Sequence, residues 1–148
     1  MMQRQHLGFT LVEVMIVVAL IGVLAVVAIP RYHTNILKSQ MNRAASELGT
    51  YKNAFELRVA GSGSVSNSAL GYVPSNLTDG VMAMDIGVVN PDGSGHIEVT
   101  MGGNAHPNLS KVILRYVRDP AGRWVCEINR SAANRWRDAY RPNGCTVL

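Results

Sequence analysis

Charge is scarce in this sequence. Only 16% of its residues are Asp, Glu, Lys or Arg, while 47% are hydrophobic; a typical soluble domain is about a quarter charged. That balance excludes a disordered chain, which has too little apolar surface to offset the entropy of ordering. Cysteine is scarcer still: two in 148 residues, too few for a disulfide-framed mini-protein or a structural zinc set. Catalytic constellations are missing as well. His33, His96 and His106 are far apart and lack the H-x-x-x-H spacing of a zinc site. No G-x-S-x-G occurs, and Gly61-Ser62-Gly63 lacks the lysine of a phosphate loop. Asp79, Asp85 and Asp92 fit no calcium-loop spacing. The expectation is a non-enzyme without metal or cofactor, of a length that suits one ordinary domain.

The apolar residues are concentrated. Leu11 to Ile29 reads LVEVMIVVALIGVLAVVAI, with Glu13 as the one charge. From Phe9 to Ile29 a helix would span roughly 30 Å, the thickness of a bilayer's hydrocarbon core. A core helix of a globular domain would show a polar stripe every 3.6 residues, and none is present. A secretory signal peptide fits poorly, because the apolar stretch is too long and Pro30-Arg31-Tyr32-His33 follows it in place of an Ala-x-Ala site. The segment therefore reads as a membrane-inserted helix. Arg4 and Arg31 give no clear bias for its orientation. By position alone Glu13 is open to two readings. It is a functional intramembrane carboxylate, or it reaches the headgroup zone from the first turn.

The stretch Gly8-Phe9-Thr10-Leu11-Val12-Glu13, continuing through Val14-Met15-Ile16-Val17-Val18-Ala19 to Ala28-Ile29-Pro30-x-Tyr32, resembles the N-terminus of the type IV pilins, in particular the type IVa class with a short leader. Two late cysteines complete the likeness. The resemblance implies a leader over residues 1–8, a hydrophobic transmembrane and filament-core helix over 9–30, and a globular domain over 31–148. It implies that a prepilin peptidase cuts between Gly8 and Phe9 and N-methylates Phe9. It implies that Glu13 pairs with the N-terminal amine of a neighbouring subunit. Between apolar helices an unpaired carboxylate is heavily penalised and an amine-paired one far less, so the pairing would fix axial register. Gly22 and Pro30 each weaken a helix. The resemblance implies local unwinding between them in the filament, where an ordinary kink is the plainer alternative. Leu7 departs from the commoner Lys or Arg before the cleavage glycine, and Val12, Val14 and Val23 from commoner Ile or Leu; neither change removes a group that cleavage or pairing needs.

Beyond Pro30 the pattern turns amphipathic. Ile36, Leu37, Met41, Ala44, Ala45, Leu48, Tyr51, Phe55 and Leu57 recur three or four apart, with charges filling most gaps. The helix should end near Ala60, before Gly61-Ser62-Gly63-Ser64. Residues 61–95 are rich in Gly, Ser and Asn and predict a long surface connection with one or two short strands, including the turn Asn90-Pro91-Asp92-Gly93. Strands are expected over 96–101, 111–118 and 123–129, the last two joined at Asp119-Pro120-Ala121-Gly122. The fold class is α+β: a long N-terminal helix packed on a small antiparallel sheet that buries Val112, Leu114, Tyr116, Val125 or their alternates.

The final segment reads as polar and irregular. Cys126 and Cys145 are either free thiols or a disulfide. An exported domain in an oxidising compartment favours the bond, and in the family it ties the C-terminal segment to the sheet. Closing such a loop is worth about 3 kcal/mol in the chain-entropy view. Charge is divided along the chain. Residues 59–110 carry four acids and no Lys or Arg, while residues 111–148 carry eight bases and three acids. Opposite patches suit packing between subunits. Arg130, Arg135, Arg137 and Arg141, set among Trp136 and Tyr140, also suit contact with DNA phosphates and bases, although the four-residue spacing of the two rings equally suits a buried face.

The expected function is that of a structural subunit of a type IV pilus. It is held in the bacterial inner membrane, handled by the prepilin peptidase and an inner-membrane assembly platform, and polymerised with other pilin subunits into an extracellular filament for adhesion, twitching motility or DNA uptake. A minor pilin, a DNA-receptor pilin and a type II secretion pseudopilin are the alternatives.

Overall fold

A computed structural model describes residues 8–80 and 84–148. The chain divides into two compact units, Met1–Thr34 and Asn35–Leu148, and each is taken by itself.

In the first unit the chain enters helix α1 (Leu11–Gly49). Thr10 caps it: its Oγ1 accepts the Glu13 N–H at 3.2 Å and its carbonyl accepts the Val14 N–H at 3.2 Å. A threonine followed three residues later by glutamate is a helix-start pattern. The carboxylate also lies in the first turn, where the helix dipole favours negative charge. Gly22 and Pro30 do not interrupt the helix. Proline has no N–H to give the carbonyl one turn back, and the Thr34 hydroxyl donates to the Pro30 carbonyl at 3.2 Å.

The second unit contains the rest of α1, α2 (Tyr51–Ala60), α3 (Asn67–Leu70) and five strands: β1 (Gly87–Val89), β2 (Gly95–Thr100), β3 (Ile113–Arg118), β4 (Trp124–Asn129) and β5 (Cys145–Val147). The strands lie side by side in chain order. The first three pairings are antiparallel, and β5 returns parallel to β4. An irregular final segment was expected; a parallel edge strand is found, because residues 130–144 are long enough to carry the chain back along the sheet.

Alternation on the strands selects the core face. In β2, Ile97 and Val99 point inward while His96, Glu98 and Thr100 point out. Leu114 on β3 and Cys126 and Ile128 on β4 share that inward face, and register places Val99 beside Leu114 and Leu114 beside Ile128. Against them pack Leu37, Met41, Ala44, Ala45 and Leu48 of α1 and Phe55 of α2. Each fully buried Leu, Ile, Val, Met or Phe among them contributes about 1.5–3 kcal/mol. Val112 and Leu114 are fully buried as expected, and Tyr116 is half-buried. Val125 is a correction. It faces outward, since strand parity sends Trp124, Cys126 and Ile128 inward. Leu57 is another: it lies on the exposed side of α2.

The stretch 61–95 also differs from a surface connection. Val65, Leu70, Tyr72, Leu77 and Ile86 are buried within it. Asn67 organises its path, donating from Nδ2 to the Met84 carbonyl at 2.6 Å and accepting from the Ile86 N–H at 2.9 Å. A buried amide satisfied in this way ties two loop segments together.

Candidate functional site: an apolar helix and a disulfide-closed basic loop

Two features present surface that the packing core does not use. The first is the start of α1. From Leu11 to Pro30 no residue is buried, and the helix is long and apolar enough to cross a membrane. Contiguous apolar surface on this scale demands a cover, either lipid or other apolar helices. Glu13 interrupts the surface one turn in, and no ion pair joins it to another described residue. Phe9 precedes it, largely exposed, and Gly22 has nothing within 4 Å of where a Cβ would stand. Gly8 and Phe9 lie within the described residues; the rest of the expected leader, residues 1–7, lies outside them.

The second feature is the C-terminal loop. Cys126 and Cys145 form a disulfide, with Cα atoms 4.4 Å apart. The two cysteines are directly paired across the parallel β4–β5 ladder. The bond thus sits at the neck of the loop, inside the sheet. Two further contacts hold the neck: the Thr146 hydroxyl donates to the Cys126 carbonyl at 3.2 Å, and the Leu148 N–H donates to the Ile128 carbonyl at 2.9 Å.

Inside the loop the rings and the guanidiniums part company. Trp136 and Tyr140 are buried and meet edge to face with centroids 5.8 Å apart. The Trp136 indole N–H donates to Asp138 Oδ1 at 3.1 Å. Such a pair anchors the loop and is not free to stack on bases. Arg130, Arg135, Arg137 and Arg141 are all exposed, and none forms an ion pair with a described residue.

The acidic half of the domain is committed locally. Asp79 Oδ1 accepts the Gly103 N–H at 2.8 Å, and Asp85 accepts the Asn67 N–H at 2.6 Å. Asp92 accepts both the N–H and the hydroxyl of Ser94, whose bonds hold its carboxyl below the ordinary range. Glu98 pairs with Arg115 across β2 and β3. These carboxylates shape turns and strands, and among the described residues no three acidic, histidine or cysteine groups gather as a metal site would need. His106 accepts the Asn108 N–H at 3.2 Å to cap the 3-10 turn Pro107–Leu109. His96 faces out from β2, its imidazole held below its usual pKa first by partial burial and then by Arg115.

Two arrangements were not foreseen from the sequence. Glu56 on α2 receives Arg118 and Trp124 from the sheet. A cavity between α1 and the loop at residues 72–78 is lined by Glu47 and Tyr72. Both depend on the register between helix and sheet, which no local pattern reveals. The Thr10–Glu13 cap was also missed, although T-x-x-E was there along the chain to signal it.

Comparison with known proteins agrees with this geometry. Residues 3–29 match the prokaryotic N-terminal methylation motif, and residues 38–146 match the pilin (bacterial filament) family. Fimbrial protein Q of Moraxella bovis is 35% identical over 93% of this chain and 96% of its own length. Fimbrial protein EcpB of Eikenella corrodens is 34% identical over 95% and 97%. The type IV major fimbrial protein FimA of Dichelobacter nodosus is 33% identical over 97% and 98%. An exposed apolar helix bearing the methylation motif, followed by a disulfide-clamped α+β domain that matches the family along most of its length, has one reading: the chain belongs to the pilin family of bacterial filament proteins, as a type IV fimbrial subunit.

Proposed function

We propose that the chain is made as a precursor, cut between Gly8 and Phe9 by a prepilin peptidase, N-methylated on Phe9, held in the bacterial inner membrane by the apolar start of α1, and passed by an inner-membrane assembly platform into a homopolymeric extracellular filament. The observation that carries this reading is the apolar helix surface from Leu11 to Pro30, wholly unburied in the subunit. In the membrane lipid covers it; in the filament other copies of the same helix do. Glu13 makes the second environment selective. Its carboxylate is costly among apolar helices until the methylated amine of a neighbouring Phe9 meets it, so correct axial register is the favourable one. Gly22 and Pro30 supply weak points at which the helix can unwind as subunits pack. The outcome is a structural role without catalysis, on which adhesion or twitching motility would rest.

Shearing surface filaments from native cells and weighing the intact subunits tests this. A dominant species starting at methylated Phe9, with both thiols oxidised, supports a major subunit. The same species in trace amounts points to a minor pilin. An uncut chain confined to the membrane overturns the assembly reading. Copurification with a type II secretion apparatus instead of filaments would favour a pseudopilin.

A second reading has an observation of its own. Four exposed arginines on one loop, none ion-paired with a described residue, suit the phosphate backbone of DNA. With Trp136 and Tyr140 buried, such contact is to phosphates and is independent of base sequence. Retention of DNA that does not fall steeply with added salt would overturn it.

A further inference from the structure

Three places in the chain set an acidic or amide side chain directly before glycine: Asp79-Gly80, Asp92-Gly93 and Asn143-Gly144. Such a pair can close into a five-membered ring, because glycine has no side chain to block the approach of its amide nitrogen to the preceding Cγ. The fold treats the three differently. Asp79 Oδ1 is engaged by the Gly103 N–H at 2.8 Å. Asp92 Oδ1 accepts the Ser94 N–H at 3.0 Å and the Ser94 hydroxyl at 2.7 Å, and the Gly93 N–H is itself spent on the Asn90 carbonyl at 3.0 Å. A carboxylate is in addition a poorer electrophile than an amide.

Asn143 and Gly144 carry none of these restraints. Both are exposed. Neither the Asn143 side chain nor the Gly144 N–H makes a hydrogen bond to a described residue. They are the two central residues of a turn that closes with the Cys145 N–H on the Pro142 carbonyl at 3.4 Å, a long bond against the usual mode and easily opened. Gly144 takes φ 80°, which glycine adopts freely, and has nothing within 4 Å of where a Cβ would stand. The backbone therefore has room to rotate. Lys38 and Arg141 line the cleft beside the pair, against one acid, Asp138. That balance favours negative charge developing on the amide nitrogen and on the attacked carbonyl.

We infer that Asn143 is a site of self-modification in the folded chain, a deamidation whose only co-reactant is water. Hydroxide removes the Gly144 amide proton, and the nitrogen attacks Asn143 Cγ. The new C–N bond closes a succinimide while the Cγ–Nδ2 bond breaks and ammonia leaves. Water then opens the ring at either carbonyl, leaving aspartate or isoaspartate at position 143. A neutral amide becomes a carboxylate beside Lys38 and Arg141, so the basic loop loses net positive charge as the chain ages. The isoaspartate product also lengthens the backbone by one atom two residues before Cys145, at the entry to β5. The reading depends neither on filament assembly nor on DNA contact.

The test ages the full chain, disulfide intact, in detergent at neutral and mildly alkaline pH. Samples are digested at mildly acidic pH, which halts the reaction, and the peptide that holds Asn143 is weighed. A gain of one mass unit on that peptide should appear before any gain at the other asparagines, and faster at the higher pH. Its two products should separate chromatographically, the isoaspartate form accepting a methyl group from an isoaspartyl methyltransferase. The same chain, reduced and unfolded in urea, gives the rate without the fold. The folded rate should lie within tenfold of it. A folded rate more than tenfold slower would mean that the turn protects the pair and would overturn the site. Earlier conversion of another asparagine overturns it equally, as does an undiminished acidic charge variant in Asn143→Gln.

Discussion

Arg118 grips Glu56 with two parallel bonds, Nε to Oε1 at 2.8 Å and Nη2 to Oε2 at 2.9 Å. A bidentate guanidinium–carboxylate pair is geometrically demanding, and here it joins β3 to α2. Trp124 of β4 donates its indole N–H to the same Glu56 Oε1 at 2.7 Å, and its ring meets Phe55 edge to face at 5.2 Å. One carboxylate thus anchors helix and two strands together.

Glu56→Ala should destabilise the domain by about 1–2 kcal/mol, a charge-assisted pair discounted for a carboxylate still partly open to solvent. Urea melts of the full chain in detergent measure it. The pH dependence has a definite sign. The bonds from Arg118 and then from Trp124 hold the folded Glu56 carboxyl below its unfolded value of 4.5. The stabilisation is complete above that value and is lost as pH falls through the lower folded one. The acid limb of the parent's stability curve should therefore flatten in Glu56→Gln, and an unchanged limb would rule the clamp out as its source.

Replacing Cys126 and Cys145 together with serine should cost about 3 kcal/mol. The loss should appear first at β5. Hydrogen exchange at the Leu148 N–H, which donates to Ile128, should speed up well before exchange in β2 and β3. Uniform acceleration across the sheet would mean that the bond supports the whole domain and not its edge.

Gly95→Ala should be among the most damaging single changes in the sheet. An added Cβ would run into the Val88 carbonyl across the β1–β2 pairing and come within 2.9 Å of the Phe55 ring. Neither can retreat without breaking a ladder bond or the Phe55–Trp124 contact, so about 3 kcal/mol or more is expected. Thermal melts decide, and a loss under 1 kcal/mol would show that the β1 edge yields.

Glu13→Gln keeps the shape of the side chain and removes its charge. Insertion and cleavage should continue, and filament yield should fall at least tenfold. Immunoblots of sheared and membrane fractions separate the two. Normal filaments from Glu13→Gln would end the register argument.

Substituting Arg130, Arg135, Arg137 and Arg141 with glutamine should flatten the salt dependence of any DNA retention, each phosphate contact removed reducing the log–log slope by about 0.9. The fold should be untouched, because none of the four is buried or ion-paired within the described residues.

Much of this was legible beforehand, for local reasons. The apolar run, the amphipathic continuation to Ala60 and the three central strands each follow from a period within a few residues, and β2, β3 and β4 start and end within two residues of where alternation puts them. The turn at Asn90-Pro91-Asp92-Gly93 closes with the Gly93 N–H on the Asn90 carbonyl, as its composition implies. What stayed hidden is set by distant partners. Alternation cannot say which parity of β4 faces inward; the placement of Glu56 opposite Trp124 helps decide that, so Val125 is exposed. The buried path of residues 61–95 relies on the Asn67 side chain meeting a segment about eighteen residues away. The cavity lined by Glu47 and Tyr72 joins elements far apart along the chain and has no signature in the sequence.

The disulfide lies in the β4–β5 register itself, not out in the loop it closes. This makes the loop a modular insert. The exposed residues of the loop, Arg130, Arg135, Arg137 and Arg141 among them, can be exchanged or recharged while Trp136 and Tyr140 stay as its anchor, and the sheet below still receives its last strand at the same rung. A lineage under pressure to change what this domain displays can therefore do so without renegotiating how it folds.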